Sequence, residues 1–150
     1  MSIPAIEIGI SDKDREVISN GLSRMLADSF CLYLKTHNYH WNVKGPMFQT
    51  LHVMFMDQYT ELWNALDEIA ERIRALDERP IGSLQGYLEH NRIKEHCDSE
   101  PLPEAKQMLA NLSADNDTLI REIRKDIDTL DSEKSEDAGT LNFLEDMIER

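Results

Sequence analysis

FQTLHVMFMDQYTELWNALDEIAERIRALD, residues 48–77, is the stretch that decides the fold. Its apolar side chains Phe48, Leu51, Phe55, Tyr59, Leu62, Leu66, Ile69, Ile73 and Leu76 recur in steps of three and four. That is the spacing of one face of an α-helix packed in a bundle. The run begins just after Gly45-Pro46 and ends before Arg79-Pro80-Ile81-Gly82, both strong helix breakers.

The same reading extends outward. A first helix starts on Ser11, a cap followed by Asp12 and Asp14, and runs through Ile18, Leu22, Met25, Leu26 and Tyr33 towards Trp41. A short helix is expected over 83–90. A third long helix runs from about Pro103 to Leu130, with Leu109, Leu112, Leu119, Ile123 and Ile127 on one face. DSEKSEDAG, residues 131–139, reads as a loop. A last helix begins near Asp137 and carries Leu141, Leu144 and Ile148. The expected architecture is all-α: a four-helix bundle with a short extra helix in the long connection between the second and third helices. Residues 1–150 form a single domain in this reading, with 1–10 as a short tail. The last helix has about half the length of the other three, which leaves part of the bundle groove uncovered unless another subunit fills it or the chain has lost its end.

With 41% hydrophobic and 30% charged residues, the chain is globular rather than disordered. No run approaches the ~20 apolar residues of a membrane span. The start, MSIPAIEIGI, lacks the basic region and cleavage site of a signal peptide, so a cytoplasmic protein is expected. Cys31 and Cys97 have no CxxC spacing and read as reduced thiols. The 29 acidic residues against 16 Lys and Arg give a net charge of −13. That charge repels phosphate backbones and attracts cations, although solubility alone would account for it.

Gly-rich phosphate loops, HExxH, GxSxG and ExxH are all absent. A di-iron centre of the usual kind inside one bundle is therefore not available. Four other residues stand out as metal donors: His40 in HNYHW, His52 early in the second helix, and Asp67 and Glu71 one turn apart in ALDEIAER. Imidazole with carboxylate suits iron. At about 100° per residue, with His52 at zero, Trp63 falls at about 20°, Met56 at about 40°, Asp67 at about 60° and Glu71 at about 100°. The apolar stripe lies on the other side, at about −20° to −120°. The helix thus has two adjoining faces, one for the bundle interior and one that suits an interface.

Length decides where such a site can be. His52 and Asp67 are 15 positions apart, or about 22 Å along one helix, whereas iron–ligand bonds are on the order of 2 Å. The two can share a metal only if the second helices of two copies cross antiparallel about a two-fold axis, which makes two equivalent sites per dimer. Spacing alone also fits a satisfied histidine and a solvated carboxylate pair. His90, His96 and Cys97 gather in the long connection, where an exposed loop explains them better than a second metal site.

The runs HNYHWNVKGPMFQTLHVMF (37–55) and LWNALDEIAERIRAL (62–76) resemble the Dps family, the DNA-protection-during-starvation mini-ferritins. The resemblance implies a hollow dodecamer that oxidises Fe(II) with hydrogen peroxide in preference to dioxygen, stores the ferric mineral, and so protects DNA. It implies iron bound by His40 and His52 of one subunit and Asp67 and Glu71 of its two-fold mate. It also implies Trp41 as an electron donor beside the site; an aromatic core or interface role explains Trp41 equally well. Three departures from the family pattern matter. Many members carry a carboxylate four residues after the second histidine, where this chain has Met56, a soft ligand poorly matched to ferric iron. Asp57 follows but lies about 140° around the helix from His52, so His37, Met56 and Asp57 are only secondary candidates for the metal shell. The site is expected to hold one iron tightly and a second weakly. Residues 1–10 contain no Lys or Arg, so direct DNA binding is disfavoured and protection would be chemical, in the cytoplasm or beside the nucleoid. The alternative is a DNA-compacting structural protein with residual ferroxidase activity. Family members also usually continue the last helix further than this chain does.

Overall fold

Helix α1, Asp12–Asn42, begins where the Ser11 hydroxyl oxygen accepts from the Asp14 amide at 3.1 Å, with Asp12 and Asp14 favourably placed at the positive end of the helix. The structure, a computed structural model, describes residues 6–132 and 137–150. After α1 the chain turns through residues 43–47, using Gly45 at φ 99, a conformation that favours glycine. It doubles back as α2, Phe48–Ala75. That helix stops two residues short of the expected end because Asp77 adopts a left-handed φ of 62, and the Asp77 and Glu78 amides bond back to Arg74 and Ile73. The short helix α3, Leu84–His90, is capped by Ser83, whose hydroxyl accepts from the Gly86 amide. Helices α4, Ala105–Ser132, and α5, Ala138–Glu149, complete the four-helix bundle. The expected loop over 131–139 is shorter than its sequence suggests, since helix reaches Ser132 and resumes at Ala138; residues 133–136 lie outside the described region, as do 1–5 of the tail.

Helix α1 is the hub, packing against α2, α4 and α3, while α5 packs on α4. Tyr39, Phe55, Leu22, Leu26, Leu32, Ile69, Ile73 and Ile123 are essentially removed from solvent. Each large side chain of that kind contributes about 1.5–3 kcal/mol through burial. On α2 the buried residues are Leu51, Phe55, Ala65, Ile69 and Ile73, the face that periodicity assigns to the interior. Phe48 departs from that assignment. It is 44% exposed, because it sits in the first turn at the bundle's end, and its ring stacks on His52 at 4.9 Å.

The long connection from α2 to α4 is tied down by buried polar groups of α1. Asp28, fully buried, accepts from the Arg92 backbone amide and from the Arg92 guanidinium, which also reaches Glu122 of α4. Burial holds the Asp28 carboxyl above its usual range despite those hydrogen bonds. The Lys35 ammonium donates to the Lys94 carbonyl and to Asp115, spanning the connection and α4. The Cys31 thiol donates to the Ile93 carbonyl, and burial pushes that thiol up to about 11, so it is an inert packing residue. Cys97 is exposed, and neither cysteine is in a disulfide.

Helix α5 is docked by Asp137, whose carboxylate accepts from the Thr140 amide and hydroxyl and from Arg72 of α2 at 2.6 Å. Burial pushes the Asp137 carboxyl up, but the bonds from Thr140 and Arg72 outweigh it and hold it below its ordinary value. Asp137→Ala is expected to cost about 1–3 kcal/mol at neutral pH, from the lost cap and the stranded Arg72. Because the folded-state value is depressed, this contribution is present above the unfolded value of about 3.9 and is lost as pH falls through the folded one. Urea midpoints of the wild type and the variant should differ clearly at pH 7 and converge in acid; equal midpoints at pH 7 would remove Asp137 from this role.

Candidate metal centre

The last turn of α1 and the second turn of α2 face each other across the short 43–47 link. His40 Nδ1 lies 2.7 Å from the His52 carbonyl, and His52 Nδ1 lies 2.9 Å from the His40 carbonyl. A carbonyl oxygen can only accept, so both Nδ1 atoms carry the proton and donate. The local reason is the helix end: the last carbonyls of α1 have no amide ahead of them, and His52 supplies one of the missing donors. The two rings stack at 3.7 Å with 20° between planes. With both Nδ1–H groups committed, each neutral ring keeps its lone pair on Nε2, the arrangement that prepares histidine as a metal ligand.

Asp67 and Glu71 are exposed on the same helix as His52, far beyond its reach. Among the described residues neither carboxylate has a hydrogen-bond or ion-pair partner, although Glu68 pairs with Arg150 and Arg72 with Asp137. Around them α2 presents Met56 and Trp63, 40% and 58% exposed. This is the second face read from the sequence, and among the described residues it is largely open. No group of three or more His, Cys, Asp or Glu that could hold a metal ion occurs among the described residues of a single chain. His40 and His52 are brought together; Asp67 and Glu71 are not brought to them.

The secondary candidates separate by geometry. His37 is engaged through Nδ1 with the Tyr33 hydroxyl at 3.2 Å, and its ring is stacked on Tyr59 at 3.9 Å. Burial, and then His40 nearby, holds the His37 imidazole below its ordinary value. Asp57 is exposed on a different face of α2 from His52. Trp41 is 60% exposed and packs its ring on His37 at 4.1 Å. In the long connection His90 Nδ1 donates to the Gly86 carbonyl, Cys97 contacts Ser99, and His96 lies near Tyr39, so these three do not form a cluster.

Periodicity placed Tyr33 and Tyr59 only as packing residues, whereas Tyr59 lies against His40 and Tyr33 against His37. Tyr59 stands edge-on to His40 at 5.2 Å. The signal was present in the 33, 37, 41 spacing of Tyr, His and Trp, which puts three rings on one face of α1.

The ferritin-like domain family matches residues 19–150. DNA protection during starvation protein 2 of Bacillus anthracis is 37% identical over 123 residues, covering 82% of this chain and 81% of that protein. An uncharacterized low temperature-induced protein of Nostoc is 41% identical over 147 residues, covering 98% of this chain and 80% of that protein. Among solved structures, the Dps protein of Vibrio cholerae, described as a member of a broad superfamily of ferritin-like diiron-carboxylate proteins, superposes with a TM-score of 0.87. It is 32% identical and covers 99% of this chain and 91% of its own. Fold and sequence agree, and the chain belongs to the Dps family of ferritin-like proteins.

Proposed function

We propose that this chain is the subunit of a ferroxidase that oxidises Fe(II) at sites shared between two copies and stores the ferric product. The observation that carries this reading is the reciprocal His40–His52 pair. It leaves two imidazole lone pairs in one place, on a chain whose Asp67 and Glu71 lie about 22 Å and about 28 Å from His52 along the same helix. An antiparallel crossing of two α2 helices brings each pair of imidazoles to the other copy's pair of carboxylates, twice per dimer. Nitrogen and oxygen donors together accept Fe(II) and hold Fe(III) more firmly, as the charge on the metal rises.

Hydrogen peroxide is the oxidant in this reading, with dioxygen as the slower substitute, and Trp41 serves as an electron donor close to the site. Met56 stands where a third carboxylate would complete a second iron position, so each site holds one iron tightly and the next weakly. His37 is occupied by Tyr33 and Tyr59, and Asp57 faces elsewhere, so neither replaces the missing oxygen donor. The protein works as a dodecameric cage in the cytoplasm, where the surplus of negative charge concentrates Fe(II) at pores and cavity. The same charge keeps the protein off DNA, which it protects by removing Fe(II) and peroxide. Among the described residues no helix is long and apolar enough to cross a membrane.

Light scattering should report a particle of about twelve times 17.4 kDa; a dimer alone would sink the cage. His52→Ala and Asp67→Ala, each made singly, should lose the fast ferric absorbance by at least about 10- to 100-fold, the penalty seen even for supporting partners of metal ligands. Mixing the two variants from dissociated subunits should restore part of it, because a mixed dimer contains one complete site; no recovery would place the site within a single chain. Met56→Asp should raise the Fe(II) bound per site in an anaerobic titration from one towards two, and an unchanged stoichiometry would dismiss Met56 as the limiting position.

A further inference from the structure

The two imidazoles of the pair are held unequally. His40 is 8% exposed and lies within the bundle, with Tyr59 edge-on to its ring. His52 sits one turn into α2, at the bundle's end, and is only half-buried. Its Nδ1–H bond to the His40 carbonyl fixes one edge of the ring. A bond at one edge lets the ring rock about that edge, so it does not by itself aim Nε2. The faces of the ring must be held as well. One face is covered by His40, stacked at 3.7 Å with 20° between planes. Phe48 is stacked on His52 too, at 4.9 Å and 29°. An imidazole face has room for one ring, and Phe48 and His40 make no ring contact with each other among the described residues. They therefore take opposite faces, and His52 is the middle ring of a stack of three.

Phe48 is placed by its backbone rather than by the core. It lies four residues before His52, on the same side of α2. Its amide donates to the Gly45 carbonyl at 3.0 Å, inside the turn that Gly45 makes with its positive φ. The ring contributes less to the core than a buried one would, and among the described residues His52 is its one aromatic partner. We propose that Phe48 is a positioning residue: it closes the open face of His52 and holds that imidazole in the orientation in which Nε2 binds Fe(II). This rests on the ferroxidase reading above. The phenyl ring offers no donor to a metal and no proton. It acts by removing, before Fe(II) arrives, the ring orientations that cannot bind it, and by keeping water from the Nδ1–H bond that selects the tautomer. Such preorganisation is read in affinity, and much less in the rate once the site is filled. It needs a flat ring, because a branched aliphatic side chain of similar bulk does not cover an imidazole face in the same way.

The test compares Phe48→Leu and Phe48→Tyr with the wild type, all as assembled protein. The first measurement needs no metal. In histidine-labelled nitrogen-15 spectra, the His52 Nδ1–H signal should be present in the wild type, lost to exchange with water in Phe48→Leu, and regained in Phe48→Tyr. In an anaerobic Fe(II) titration Phe48→Leu should bind about 10-fold more weakly, the lower end of the loss when a partner that orients a metal-binding histidine is removed. The Fe(II) needed for half-maximal ferric rate should rise by the same factor, with the maximal rate kept, and Phe48→Tyr should restore both. Urea midpoints serve as the control for folding. Unchanged exchange and affinity in Phe48→Leu, equal losses in Phe48→Tyr, or a loss of affinity that merely follows the urea midpoint would each overturn the role of Phe48 and leave the ferroxidase standing. If the wild type binds no Fe(II), the ferroxidase reading fails first and takes the metal role of Phe48 with it, whatever the exchange measurement shows.

Discussion

Two hydrogen bonds between the end of α1 and the start of α2 fix more of this molecule than their number suggests. Each joins an imidazole Nδ1–H to the backbone carbonyl of the other histidine, so each ring is held by the residue it helps to hold. The exchange satisfies a carbonyl that the end of α1 leaves without an amide. It also sets the phase of α2 against α1 at the point where the two helices are closest in sequence, and it selects one tautomer for both rings. Removing either side chain therefore takes away a proposed metal donor and releases its partner's orientation at the same time.

The rest of the bundle protects that geometry by anchoring α1. Asp28 and Lys35 are charged groups buried among apolar neighbours, an arrangement that costs stability unless each is fully paired. Their partners, Arg92 and the Lys94 carbonyl, lie on the crossover, and Glu122 and Asp115 lie on α4. The polar groups thus decide where the long irregular connection lies, a task that apolar packing alone performs with less specificity. Asp137 and Arg72 do the same at the other end, fixing α5 against the last turns of α2, next to Glu71.

Much of this was legible in the residues themselves. The breaks at Ser11, Gly45 and Ser83 are chemical signals that act locally, and the helices begin or end at them. The two faces of α2 followed from its 3.6-residue period, and its length gave the expectation that its histidine and carboxylates can share a metal only between copies. Periodicity failed where the answer depends on something remote. It could not know that Phe48 lies past the bundle's end and turns its ring to His52. It gave no reason for a lysine and an aspartate inside α1, because their partners come from 59 to 80 positions further along the chain. The reciprocal histidine bonds also escaped it, since they depend on the angle at which two helices meet.

In the proposed dimer, helix α2 also acts as a ruler. His52 and Asp67 are separated by a rigid length, and in a symmetric pair the same length must match on both chains. Inserting or deleting a single residue between them would shift Asp67 by about 1.5 Å along the axis and by about 100° around it. A whole added turn would restore the facing but move both half-sites apart, because the mate's helix grows as well. Among relatives that keep this site, alignment gaps should therefore be absent between positions 52 and 67, and length variation should collect in the crossover, where a loop can absorb it.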